Sequence, residues 1–120
     1  MIKQIATVAV YVESQERALE FWTARVGFEL RRNQPMGPGA SWLEVAPPGA
    51  QSCLVLYPRA LMASWAEHKP SIVFECEDIR GTAERMTANG VKFTQEPQEM
   101  SWGTYAKFID LDGTEFMVKG

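Results

Sequence analysis

Histidine occurs once in this 120-residue chain and cysteine twice, and basic residues never cluster beyond the pair Arg31-Arg32. No apolar run approaches the roughly 20 residues that a membrane-spanning helix needs. Each shortage excludes a class of protein. The two cysteines, Cys53 and Cys76, both lie in apolar strand-like runs and read as buried reduced thiols, so this is not a disulfide-built scaffold. A net charge of -3, a pI near 5.2 and the lack of a Lys/Arg stripe argue against a nucleic-acid surface. The N-terminal stretch Met1-Ile-Lys-Gln-Ile-Ala-Thr7 has no charged flank leading into a long apolar core. The expectation is a cytoplasmic protein with neither nucleic acid nor membrane as partner. Catalytic groups are equally sparse. The single histidine, His68, falls in a connecting stretch, where a lone imidazole is more often a surface residue than a catalyst. No Ser or Cys sits in a nucleophile elbow, and Gly37 and Gly39 have no helix after them to make a phosphate loop.

What the chain does have is a paragraph written twice. Thr7-Val-Ala-Val-Tyr-Val-Glu-Ser14 runs in parallel with Ser71-Ile-Val-Phe-Glu-Cys-Glu-Asp78, each an alternating strand that ends on a helix-capping residue. In the first copy, residues 5 to 12 read as a strand and Ser14 caps a helix over roughly 15 to 25. Its apolar stripe is Ala18, Leu19, Phe21, Trp22 and Val26, and Gly27 ends it. Phe28 to Arg32 resumes extended, and Ser41–Val45 and Cys53–Tyr57 follow as strands around the turn Pro47-Pro48-Gly49. In the second copy, Ser71 to Glu77 is a strand, Asp78 caps a helix over roughly 79 to 88, and Asn89-Gly90 stops it. Val91–Thr94, Trp102–Ile109 and Glu115–Lys119 complete the set, the last two joined by a turn at Asp110 to Gly113. Pro35-Met-Gly-Pro-Gly39 reads as a mobile loop and Glu99-Met-Ser101 as another. The predicted fold is α+β, two tandem βαβββ modules in one domain over 1–120: module one about 1–58, a linker about 59–70, and module two about 71–120.

Four fragments in this order, Tyr11 to Trp22, Val26 to Leu30, Ser71 to Ile79, and above all Phe108-Ile-Asp-Leu-Asp-Gly-Thr114, carry a family likeness. The chain resembles the vicinal oxygen chelate superfamily of glyoxalases, ring-cleaving dioxygenases, fosfomycin-resistance enzymes and bleomycin-resistance proteins. The resemblance implies paired modules whose curved sheets enclose a cup, often completed by a second chain. It also implies a metal site at four places, which in this chain hold Thr7, Val55, Ser71 and Met117. Neutral hydroxyls bind divalent ions poorly, valine not at all, and methionine favours soft metals. The expectation is therefore no metal and no cofactor. A replacement carboxylate site from Glu44, Glu75 and Glu115 is the minor alternative, since strand Glu is more often solvated or ion-paired.

Strand parity nominates the side chains that would line such a cup. If Val10, Phe74 and Phe116 pack on the helices, their neighbours of opposite parity face inward. The candidate ligand-binding residues are Thr7, Tyr11, Trp42, Glu44, Val55, Tyr57, Ser71, Glu75, Tyr105, Lys107 and Met117, with Trp102 at the rim. Rings suit stacking, and three inward carboxylates against Lys107 suggest a net negative lining for a cationic aromatic molecule. Two functions remain open. The first is a non-catalytic homodimer that sequesters a small organic molecule. The second is a lyase- or isomerase-like enzyme of the same superfamily, with Glu75 or Glu115 as general base.

Overall fold

The computed structural model describes all 120 residues. They divide into two compact units, Met1–Pro70 and Ser71–Gly120, of matching construction. Unit 1 contains β1 (Thr7–Val12), α1 (Gln15–Glu20), β2 (Glu29–Gly37), β3 (Ala40–Ala46) and β4 (Cys53–Pro58). Unit 2 contains β5 (Val73–Glu75), α2 (Ile79–Ala88), β6 (Lys92–Met100), β7 (Gly103–Ile109) and β8 (Glu115–Lys119). Each builds one four-stranded mixed sheet, ordered β1-β4-β3-β2 and β5-β8-β7-β6. In each unit the helix crosses from the first strand to the second at the far edge of the sheet, and two antiparallel pairings then bring the last strand back beside the first and parallel to it. The repeated text thus folds into repeated βαβββ modules of an α+β protein.

Alternation divides each sheet into a side that packs on the unit's helix and an opposite side, on which Cys53 and Val55 of unit 1 are also buried. Val10, Val12, Leu43, Val45, Leu54 and Leu56 are buried together with Ala18, Phe21 and Trp22 of unit 1. In unit 2, Phe74, Phe108 and Phe116 stack with ring centroids 5.5 to 6.2 Å apart, beside buried Ile79, Ala83 and Met86 of α2. The caps act as the sequence predicts. Ser14 Oγ accepts from the Arg17 amide at 3.2 Å, and Asp78 Oδ1 from the Gly81 amide at 3.0 Å. Gly27 and Gly90 end their helices at φ +95° and +92°, in the left-handed region a side chain would strain.

Several expectations need correction. The helix over 15 to 25 is α-helical only to Glu20, and Phe21–Arg25 forms a π-helical turn closed by the Val26 amide on the Phe21 carbonyl at 3.0 Å. Thr23 supplies a reason: its hydroxyl donates to the Leu19 carbonyl at 2.6 Å, occupying the acceptor that the Thr23 amide would use in an α-helix. Pro35-Met-Gly is not loop but the end of β2, which leaves only Pro38-Gly39 as the turn into β3. Glu99 and Met100 likewise belong to β6, and Ser101-Trp102 is the turn. The strand over 71 to 77 shrinks to Val73–Glu75, which leaves Ser71 outside it and exposed. Residues 59 to 70 group with unit 1 and hold two 3-10 turns, Arg59–Leu61 and Trp65–Glu67. The Arg59 guanidinium lies 4.4 Å over the Trp65 ring and 3.5 Å from Glu13, which ties this segment down.

Candidate functional site

In unit 1, the side chains opposite the core form an aromatic strip. Tyr11 on β1 and Tyr57 on β4 are register partners, and their rings meet edge to face at 5.8 Å. Trp42 on β3 approaches Tyr57 at 6.3 Å, also edge to face, and His68 from the 59–70 segment comes within 6.1 Å of Tyr11. The indole of Trp42 is held by the side chain two residues on, Nε1 donating to Glu44 Oε2 at 2.6 Å. That carboxylate also lies 3.9 Å from Arg32 Nη1. Cys53 is buried beside it. Burial pushes the thiol up from its ordinary value, the Glu44 charge adds to the rise, and Arg31 partly opposes it. Val55 is only 2% exposed and Cys53 8%, so neither offers a ligand much surface. Thr7 is half-buried.

The loop at the end of β3 is fixed by Arg31, which donates to the Pro47 and Ala50 carbonyls at 2.8 and 2.9 Å and pairs with Glu29 at 3.3 Å. The chain's one adjacent basic pair is therefore spent on structure, with Arg31 on this turn and Arg32 beside Glu44.

In unit 2, the corresponding face carries an ion pair at each of two corners, one of them beside two rings. Lys107 on β7 lies 3.9 Å from Glu115 on β8, and Thr94 donates to the same carboxylate at 2.9 Å. At the far end, Trp102, 69% exposed, leans on Tyr105 with ring centroids 6.3 Å apart. Beside them the Glu75 carboxylate and Lys119 ammonium stand 4.0 Å apart. These four residues, with Gly103, Thr104 and Gly120, line a cavity of about 220 Å3. Met117 and Val73 are register partners between the two corners.

This geometry brings Tyr11, Trp42, Glu44 and Tyr57 together in one unit, and Glu75, Trp102 and Tyr105 in the other. The expected net negative lining is not what results. Glu44, Glu75 and Glu115 each have a cation within 4.0 Å, namely Arg32, Lys119 and Lys107. Lys119 was missed although its signal was present: it shares the parity of Met117 and Glu115 on the last strand. His68, which the sequence marks as a surface residue of the linker, lies against Tyr11 of β1, a contact that no linker sequence shows.

Of the residues that the resemblance nominates as metal places, Thr7 and Val55 in unit 1 carry a hydroxyl and an alkyl group, and Ser71 and Met117 in unit 2 a hydroxyl and a thioether. No group of three or more His, Cys, Asp or Glu gathers anywhere in the molecule to take their place. Such donors do not fit a divalent ion.

A repeated βαβββ unit with an open strand face defines a class, and sequence comparison agrees. Residues 4–118 match the model of the glyoxalase/bleomycin resistance protein/dioxygenase superfamily, and the chain belongs to it. It is 59% identical to YetH of Bacillus subtilis (strain 168), over 99% of both chains. Among solved structures, a member of the superfamily from Sphaerobacter thermophilus DSM 20745 superposes with a TM-score of 0.87 at 29% identity, covering 98% of this chain and 97% of that one. TnmS3, described as an antibiotic binding protein from Streptomyces sp. CB03234, gives 0.83 at 31% identity over 98% and 95%.

Proposed function

We propose that this chain is a non-catalytic, metal-independent binding protein that sequesters a small aromatic organic molecule on the open strand faces. The observation that carries the reading is the strip Tyr11–Tyr57–Trp42, three rings in consecutive edge-to-face contact on the side of the sheet away from its core. Aromatic faces with a few fixed polar groups are what a planar apolar ligand needs, and the Trp42–Glu44 hydrogen bond pre-sets the ring. The likeness to an antibiotic-binding protein supports the same reading. Ion-paired carboxylates favour a neutral or weakly charged aromatic in unit 1 over the cationic one expected from sequence. A homodimer is the expected assembly, since each sheet ends on a nine-residue strand, β2 or β6, that a second copy can cover.

The test is a thermal-shift screen of planar aromatic compounds against the intact protein, followed by titration of any compound that raises Tm. Trp42→Ala and Tyr57→Ala are each expected to weaken that compound about three- to ten-fold, the loss of one aromatic contact of ~0.5–1.5 kcal/mol. Equal affinity in both variants would overturn the assignment of the strip.

A further inference from the structure

The cavity in unit 2 sets a largely exposed pair of opposite charges beside one exposed and one half-buried ring, whereas the Glu44 carboxylate of unit 1 is mostly buried and already holds the Trp42 indole. We infer that this corner is a subsite for a zwitterionic aromatic, a molecule carrying an ammonium and a carboxylate on a short tail, with Glu75 taking the ammonium, Lys119 the carboxylate, and Trp102 with Tyr105 the ring. This rests on the reading of the open faces as ligand surfaces and adds charge selection to it.

Three observations carry it. First, size: about 220 Å3 holds one ring and a short tail, but is below the roughly 300–1,000 Å3 of sites for drug-sized ligands. Second, the ion pair is loose. Glu75 Oε1 and Lys119 Nζ are 4.0 Å apart, at the limit of an ion pair, and their side chains are 79% and 49% exposed. Such a pair contributes little by itself, so a ligand's charges can replace each partner at small cost. Third, the charges are held by backbone. Glu75 and Lys119 are register partners across the parallel β5–β8 ladder, and Lys119 is opposite Tyr105 across β8–β7. Ring and both charges therefore stand on one face, within one strand spacing of each other. Trp102 follows from the turn before β7, where Gly103 at φ +136° provides the backbone conformation that re-aims the chain.

The experiment follows the Trp102 indole N–H in two-dimensional NMR, assigned by its loss in Trp102→Ala, while three probes are titrated into the intact protein. L-phenylalanine carries both charges, 2-phenylethylamine only the ammonium, and 3-phenylpropionate only the carboxylate. Phenylalanine is expected to bind about five-fold tighter than either, the worth of one additional exposed ion pair of ~1 kcal/mol. Lys119→Gln is expected to move two probes in opposite senses: phenylalanine weakens through loss of its carboxylate partner, and phenylethylamine strengthens because Glu75 is freed. Glu75→Gln should do the same for phenylalanine and phenylpropionate. Equal affinities for all three probes in the wild type would overturn the charge assignment while leaving the rings as a ligand surface. Absence of any indole shift would remove the subsite altogether, and a uniform loss of all probes in Lys119→Gln would reduce that residue to a structural role.

Discussion

Asp110 is the one charged side chain in the buried set, 5% exposed, and shows how a single residue makes stability respond to pH. It opens the turn into β8, its Oδ1 accepting from the Asp112 and Thr114 amides at 3.0 and 2.9 Å, while its buried Oδ2 has no hydrogen-bond partner. Burial raises the carboxyl from 3.8 to about 6; the Thr114 hydrogen bond opposes this and the nearby Asp112 charge adds to it. A group whose folded-state value is raised binds its proton more tightly in the native state. Its stabilising contribution is complete below about 3.8 and is lost as pH rises through about 6. Integrated from pH 4 to 7, this corresponds to about 2 kcal/mol. Asp110→Asn keeps one acceptor for the turn and carries no charge. Urea unfolding of both proteins at pH 4 and pH 7 is expected to show the variant gaining about 2 kcal/mol relative to wild type at the higher pH. An unchanged difference would show that the carboxyl titrates normally.

At the scale of elements, the informative residue is Gln15, the first position of α1. The β3–β4 register covers Glu44↔Val55 and Val45↔Leu54, and beyond it the Gln15 amide bridges the two strands. Its Nε2 donates to the Ser41 and Leu56 carbonyls at 2.6 and 2.7 Å, and its Oε1 accepts from the Ser41 amide at 3.1 Å. One side chain thereby satisfies three part-buried backbone groups and locks the helix onto the strands that carry Trp42 and Tyr57. Gln15→Ala is expected to cost about 2 kcal/mol, because those groups lose partners that water only partly replaces. Gln15→Glu should cost a similar amount, since a carboxylate faces two carbonyls. Chemical denaturation measures both, and a loss under ~0.5 kcal/mol would mean that water takes over the bridge. No sequence signal marks Gln15, because its partners lie 26 and 41 residues away. What could be read was local: caps at Ser14 and Asp78, stops at Gly27 and Gly90, and α2 at its true bounds. Proline misled. Pro35 suggested a loop, yet it sits inside an edge strand beside irregular register, as Pro97 does in the other sheet, where a missing N–H leaves no ladder bond unmade within the sheet. Which residues share a face was also legible from the period of two, but which charges pair across strands was not, because that depends on register.

For the molecule as a whole, the duplicated architecture separates two sources of stability. If an ion were part of the native fold, binding it would stabilise that state by RT ln(1 + [L]/Kd), and removing it would lower Tm markedly. Here each unit has its own apolar interior, Trp22 with Val10 and Leu56 in one, Phe108 with Phe116 in the other, all at most 1% exposed. Thr7, Val55, Ser71 and Met117 add no charged donor to either unit. The fold should therefore stand on packing alone. Protein purified without added metal is expected to contain far less than one equivalent of Zn, Ni, Mn or Fe, and excess EDTA should leave its Tm within about 1 °C, well under the ~4–8 °C that 1 kcal/mol moves a domain of this size. Adding those metals should likewise produce no upward shift. A rise of several degrees with any one of them, or a stoichiometric metal that survives purification, would restore a coordination site and with it the enzymatic reading. An aromatic ligand at a hundred times its Kd, by contrast, should contribute about 2.7 kcal/mol to the native state and raise Tm visibly. The same melting experiment thus weighs the two functions against each other: metal should leave the transition where it is, and an aromatic ligand should move it.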